Sequence, residues 1–288
     1  MKHYINYADV NFRKAQFYAS TSARLLGGFD VCRQYSPADI DGEFKEKHGH
    51  ILNLQRGGGY WLWKPYFILR SLREINDGDY LFYSDAGVMF TASVSPLIDA
   101  MNACGQDIMG FELPLIESQW TKRALFIAMD CDEKKFTDSN QILSCYHLIK
   151  KTRFSVAFYE EFLRLSCHEN NITDRVNGDV APSADFIEHR HDQSIYSLLY
   201  KKNSLSAFRD PSQFGYLPFE YSGGSGLIDE NEFHRGKLYH LSNGRKFRVN
   251  EHEHDYGEIL FHFRRGNPIK ELILHKLRFW NHRRQIPV

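Results

Sequence analysis

Apolar residues along this chain follow two spacings. Short unbroken apolar runs at Tyr4 to Ala8, Phe29 to Cys32, Asp79 to Ser84 and Asp107 to Leu113 predict strands. Tyr80-Leu81-Phe82-Tyr83 is apolar at every position, as in a strand buried on both faces. Between these runs, Asn11 to Leu26, Trp61 to Ile75 and Pro96 to Ala103 carry apolar residues at helical spacing, and Asp39 to His48 reads as a short polar helix. Gly27-Gly28 supplies a helix stop, Asn76-Asp77-Gly78 a turn, and Pro65 fits a helix only near its start. Further along, the spacing predicts helices over Thr121 to Met129, Ser139 to Lys151, Ser155 to Cys167 and Ile187 to Lys201. Residues 204 to 267, rich in Gly, Pro, Asn and His, read as loops with short strands.

Strands that alternate with helices predict an α/β fold with a mostly parallel sheet flanked by helices. Ligands of such sheets bind beyond the carboxyl ends of the strands, which is where Asp85 falls. Without a repeat or an evident linker, residues 1 to 266 read as one domain and 267 to 288 as a helical tail.

Composition narrows the function classes. The 288 residues include 36 basic and 36 acidic ones, with a pI near 7.2, which excludes a generally basic nucleic-acid binder. A chain that is 42% hydrophobic and 15% aromatic is not a disordered one. No apolar run approaches the roughly 18 residues that span a bilayer. Met1 to Asp9 has no signal-peptide core. Cys32, Cys104, Cys131, Cys145 and Cys167 are odd in number and scattered, which predicts reduced thiols in a cytoplasm-like compartment. The zero net charge hides one asymmetry. From Arg264 to Val288 the tail holds Arg264, Arg265, Lys270, Lys276, Arg278, Arg283 and Arg284 against Glu271 alone, with apolar residues interleaved. This pattern predicts either an amphipathic helix on an anionic membrane surface or a helix docked on the domain.

Four constellations are candidates for chemistry, each with a plain structural alternative as a loop, a turn or a helix start. In Arg56-Gly57-Gly58-Gly59-Tyr60-Trp61-Leu62-Trp63-Lys64-Pro65, glycines let the backbone approach a ligand, aromatic faces suit a sugar or base, and Lys64 opens a helix where phosphate is attracted. Tyr83-Ser84-Asp85-Ala86-Gly87 places a carboxylate at a strand end, suited to a metal, a ribose hydroxyl or a turn. Glu188-His189-Arg190-His191-Asp192-Gln193-Ser194, taken as helical, puts Glu188 and Asp192 on one face and clusters His189, Asp192 and Gln193. His252-Glu253-His254-Asp255, with His240 and His262, has metal-ligand residue types but no closed zinc pattern and reads first as a solvated loop, with one histidine available to join Asp85 as the alternative. Serine-hydrolase and P-loop motifs are absent, and Ser222-Gly223-Gly224-Ser225-Gly226 reads as a lid-like loop.

The order of the glycine-aromatic loop, the Trp-Lys-Pro helix start, Tyr83-Ser84-Asp85-Ala86-Gly87, Trp120-Thr121-Lys122 and His189-Arg190-His191-Asp192-Gln193-Ser194 resembles bacterial GT-A-type nucleotide-sugar glycosyltransferases of surface-polysaccharide (capsule or O-antigen) loci. The likeness runs from about Tyr4 to Lys201 and includes Asn11-Phe12 through Phe29-Asp30. It implies a Rossmann-like GT-A domain, a nucleoside-diphosphate sugar donor, a glycan or lipid-linked glycan acceptor, and no nucleic-acid partner. It implies a cytoplasmic location, peripheral on the inner face of the cytoplasmic membrane.

By position it assigns Arg56, Gly58, Gly59, Tyr60, Trp63, Lys64, Ser84, Asp85, Ala86 and Lys122 to the donor. It assigns His189 and His191 to the acceptor, and Asp192 and Gln193 to catalysis. In that family a D-x-D motif holds Mn²⁺ or Mg²⁺. Here Asp85 matches its first acid, while Gly87 replaces the second and offers no side-chain ligand. On the residues alone, a metal-dependent hydrolase built on the His-rich segments and a non-catalytic carbohydrate-binding protein stay open as alternatives.

Overall fold

A central sheet orders the strands β2-β1-β3-β6-β5-β9-β8, with β7 also pairing with β5. The strands are β1 (Lys2–Tyr7), β2 (Val31–Tyr35), β3 (Tyr80–Ser84), β5 (Ile108–Ile116), β6 (Asn140–Lys150), β7 (Phe208–Arg209), β8 (Tyr239–His240) and β9 (Lys246–Phe247). A separate antiparallel pair joins β4 (Val88–Phe90) to β10 (Leu260–His262). This computed structural model describes residues 1–175, 180–216, 218, 221, 233–254, 256–263 and 267–283. Among them, helices of nine residues or more are α1 (Arg13–Ser22), α2 (Gly42–Leu52), α3 (Trp63–Glu74), α4 (Ser95–Ala103), α5 (Arg153–Ser166), α6 (Asp192–Lys202) and α7 (Pro268–Arg283).

The fold is α/β, and six of the eight sheet strands point one way. β1 is parallel to β2 and β3, and β5 to β7, while β6 and β9 run against their neighbours. Side-chain alternation divides the core. Ile5, Leu81, Tyr83, Ile142 and Ile149 face one layer with α3, α5 and α6. Tyr4, Phe82, Leu143, Tyr146 and Leu148 face the other, with Phe29, Phe90 and α4. Strand residues one apart thus serve opposite cores, which is why the central strands read as continuous apolar runs.

Local chemistry sets the helix ends. The Asp41 side chain accepts from the Phe44 amide at 2.7 Å, so α2 begins after Asp41 and not at the expected Asp39. Thr152 and Ser155 cap the start of α5 reciprocally. Two expectations are corrected. Ser139 to Lys151 is not a helix but β6, the longest strand, buried along nearly its whole length. A strand covered on both faces loses its period of two, and its polar Gln141, Ser144 and His147 happen to fall three apart. The helix expected from Ile187 begins only at Asp192, so Glu188 and Asp192 share no helical face. All five cysteines are free thiols. No helix among the described residues is long and apolar enough to cross a membrane.

Gly110 of β5 lies where α6 crosses the sheet. A Cβ there would sit 2.7 Å from the Tyr200 ring and 2.9 Å from Ile142. Gly110→Ala is expected to lower the unfolding free energy by about 1–3 kcal/mol in urea titration, as overpacked cores do. An unchanged midpoint would show that this layer yields freely.

Candidate functional site

Four elements meet beyond the carboxyl ends of β1 and β3. The end of β3 brings Asp85, the first turn of α3 brings Lys64, the first residue of α6 is Asp192, and β6 contributes Ser144. β6 reaches this point through a bulge: two steps along β5, Met109 to Phe111, are matched by five along β6, Leu148 to Leu143. Bulges of this kind re-aim side chains beside functional sites.

Lys64 is 3% exposed. Its Nζ lies 2.7 Å from Asp192 Oδ2, 2.8 Å from the Ser144 carbonyl and 3.4 Å from Asp85 Oδ1. Ser144 Oγ donates to the same Asp192 oxygen at 2.9 Å, and the Tyr83 hydroxyl donates to Asp85 Oδ1. Burial by itself would lower the Lys64 pKa, but attraction to Asp192 and Asp85 outweighs it, so the lysine stays a cation. Burial pushes the Asp192 carboxyl above its usual range, with Lys64 opposing. Among the described residues no hydrogen bond uses Asp192 Oδ1, so one carboxylate oxygen is left for another donor. Gln193 is held at both ends, donating to Gln141 Oε1 at 2.7 Å and accepting from the Ser144 amide at 3.2 Å. Ser84 is fully buried and bonded to the Tyr4 hydroxyl at 2.8 Å. Ala86 is buried beside it.

The glycine loop is a left-handed turn. Gly57, Gly58, Gly59, Tyr60 and Trp61 all have φ between +51° and +96°. Glycine enters this region without strain, whereas Tyr60 and Trp61 each cost on the order of 1 kcal/mol or more. A Cβ on Gly59 would lie 2.7 Å from the Leu52 backbone, and one on Gly57 would strike the Trp61 ring. Gly58 is exposed and a Cβ there would meet only Trp63 Nε1, at an ordinary 3.8 Å, so it is the glycine of the three that a ligand can approach. Trp63 stacks on Tyr7 at 3.9 Å and donates its Nε1–H to the Gly57 carbonyl at 3.0 Å.

A second cluster gathers around Asp174. Arg56 reaches it at 3.0 Å and also bonds Glu188, and the Tyr60 hydroxyl donates to it at 3.0 Å. His189 and His191 are both buried and turned into the protein, bonding the carbonyls of Asn171 and Ile172 at 2.8 Å. Burial lowers both pKa values, that of His191 to about 4, so the rings are neutral near pH 7. Their bonds hold the 171–172 segment in place and do not aim at the open side. His191 itself sits at φ +55° and ψ −119°, a strained corner from which α6 departs. Lys122 is buried, and its Nζ donates to the carbonyls of Thr173 at 2.6 Å and Arg175 at 3.0 Å.

The expected site residues therefore fall into two adjoining groups: Lys64, Ser84, Asp85, Asp192 and Gln193, and then Arg56, Tyr60, Lys122, His189 and His191. The sequence reading missed Ser144 and Gln141 because β6 was taken for a helix. It missed Tyr7 and Asp174 because a lone strand-end tyrosine or loop aspartate carries no pattern.

A divalent metal at Asp85 does not fit this donor set. Hard cations take six or more oxygens, and even Mg²⁺, which keeps several waters and binds substrate phosphates, needs one or two carboxylates free to ligate it. Asp85 supplies one carboxylate, already facing an ammonium, and Asp192 is committed to the same lysine. Among the described residues no three His, Cys, Asp or Glu side chains converge. His252 lies 4.0 Å from Glu112, and His254 bonds Cys104 at 3.0 Å, so the His-rich segment forms no such centre among them. Asp255 and the Ser222 to Gly226 loop lie outside the described residues.

No family model matches the chain, and no curated protein does. Solved structures give loose similarity in chain path. Mouse xyloside xylosyltransferase 1, in its apo form, is 10% identical with a TM-score of 0.47, over 91% of this chain and 98% of that one. The galactosyltransferase LgtC with donor and acceptor sugar analogs is 13% identical at 0.44, over 91% and 86%. The glycosyltransferase GlyE of Streptococcus pneumoniae TIGR4, as the apo form, is 14% identical at 0.41, over 92% and 54%. Scores below 0.5 leave the functional question to the residues.

Lys122 gives a pH test of this region. Burial lowers its pKa from 10.5 to about 8, with Asp174 opposing. Between those values the unfolded chain binds more protons than the folded one, so this group makes stability rise with pH. The stability of the wild type relative to Lys122→Met is expected to grow by about 2 kcal/mol from pH 7.5 to 9.5 in parallel urea titrations. A flat difference would mean that Lys122 is solvated.

Proposed function

We propose that the protein is a nucleotide-sugar-dependent glycosyltransferase. Its GT-A-like body spans residues 1 to 266 and its basic tail 267 to 288. It moves a sugar from a nucleoside diphosphate to a hydroxyl of a glycan or lipid-linked glycan. The setting is bacterial surface-polysaccharide synthesis on the cytoplasmic face of the membrane. The observation that carries this reading is the array of half-buried Asp85 with buried Lys64 and Asp192 at the carboxyl edge of the sheet, flanked by a glycine turn and aromatic rings.

In this reading the diphosphate lies along Gly58 and draws Arg56 from its exposed carboxylate partners, where it offsets the charge that grows on the leaving group. The donor sugar sits over Asp85. The acceptor hydroxyl donates to Asp192 Oδ1, while Oδ2 is fixed by Lys64 and Ser144. As the new bond forms between the acceptor oxygen and the anomeric carbon, the bond to the diphosphate breaks and the hydroxyl proton passes to Asp192. The raised pKa of that carboxyl suits it to take a proton. Gln193 is held by Gln141 and by the Ser144 amide and keeps the start of α6 in register, a positioning role. No step passes through a metal, because the Lys64 ammonium already faces both carboxylates.

Thermal shift against a panel of nucleoside diphosphates, with Mn²⁺ or with chelator, tests the reading. At least one nucleotide is expected to stabilise the protein equally under both conditions. Asp192→Asn is expected to keep that shift and to lower kcat about 10²- to 10⁴-fold. Absence of stabilisation by every nucleotide would sink the proposal. Stabilisation only with Mn²⁺ would sink its metal-free form.

A further inference from the structure

Exposed large apolar side chains on this protein are not scattered. Of the fifteen among the described residues, nine lie on two neighbouring segments. The first runs from the end of β1 through α1 into the tight turn after it. Its outer stripe is Lys14, Phe17, Arg24 and Leu25, all exposed, with Leu26 exposed beside them. Phe17 is 62% and Leu25 74% exposed. The second is α7, which turns its apolar side outward. Ile269, Ile273, Leu274 and Leu277 are exposed, while Pro268, Glu271, Leu272 and His275 are the more covered residues. A helix kept only to cover the domain would do the reverse.

The two segments meet. Ala15 and Tyr18 of α1 and Leu272 of α7 pack on one small cluster formed by Met89, Phe261 and Phe263. His275 and Lys276 tie α7 to Glu258 at 3.1 and 2.7 Å, so the helix is anchored with its apolar side out. Basic residues accompany the patch. Arg13, Lys14 and Arg24 are exposed on the first segment and Lys270 on α7, and the sequence of α7 adds Arg278 and Arg283. Glu271 is the acid of α7 and lies toward the domain. Apolar anchors ringed by cations match a bilayer surface that bears negative lipid headgroups.

We propose that α1 with its following turn and the outer side of α7 form one docking face for an anionic bilayer. The inference extends the membrane-side placement of the proposed reaction by adding a second arm to the tail. It also locates the site. The Phe263 amide donates to the Gly87 carbonyl at 3.0 Å, so the face begins two residues from Asp85. A lipid-linked acceptor lying in the same bilayer would reach the site from its edge.

Flotation of the full chain with phosphatidylcholine vesicles, with and without phosphatidylglycerol, tests this without any substrate. Its failure therefore leaves the transfer reading untouched. Wild type is expected to float with the anionic vesicles only, and less at high salt. Phe17→Ser/Leu25→Ser and Ile273→Ser/Leu277→Ser are each expected to weaken binding about ten- to a hundredfold at an unchanged melting temperature. Three outcomes overturn the proposal. One is no binding to anionic vesicles. Another is full binding by the α1 pair of substitutions, which would leave α7 acting alone. The third is a wild-type dimer in sedimentation that the α1 pair dissociates, which would make the face a contact between copies.

Discussion

An ammonium group withdrawn from water needs counter-charge within a few ångströms, and this constraint organises the protein's carboxyl edge. Lys64 meets it with Asp192, Asp85 and the Ser144 carbonyl, each from a different element. Removing one member of such an array leaves uncompensated charge in a poorly solvated place, which typically costs 3–5 kcal/mol. The end of β3, the starts of α3 and α6 and the β6 bulge are therefore coupled. None can shift far without breaking a charged contact. The electrostatics that fix the fold at this point also set the properties of Asp192.

That coupling explains how one inverted strand comes to matter. In an all-parallel sheet the functional edge is built from strand ends alone. Because β6 runs against β3 and β5, it arrives at this edge by its first half and places Ser144 beside Lys64 and Asp192. The bulge lets a carbonyl and a hydroxyl of one residue reach Lys64 and Asp192 together.

Much of the architecture was legible in the chain. The β1, β3 and β5 runs, the first four long helices and the position of Asp85 at a strand end follow from apolar spacing and turn chemistry. What was not legible had physical causes. A strand covered on both faces has no polar face to betray its period, so β6 passed for a helix. The start of α6 depends on a positive φ at His191, which no propensity signals. Lys64 read as a free phosphate-binding cation, because pairing with Asp85 and Asp192, about twenty and well over a hundred residues away, is a tertiary event. His189 and His191 read as ligand-facing for a similar reason. Only the fold shows the carbonyls of Asn171 and Ile172 behind them.

The reversed hand of Gly57 to Trp61 has a further effect on how motion travels through this region. Helical order spreads from residue to residue in the right-handed sense, and a five-residue stretch of opposite hand is a boundary it cannot cross. α2 and α3 are thus insulated from each other. Fraying at the end of one does not propagate into the first turn of the other. With Gly59 seated against the Leu52 backbone, the angle between the two helices is set by the turn and not by loop slack. The backbones of Arg56 on one side and Trp63 on the other are thereby held at a set separation, whichever partner the Arg56 side chain takes.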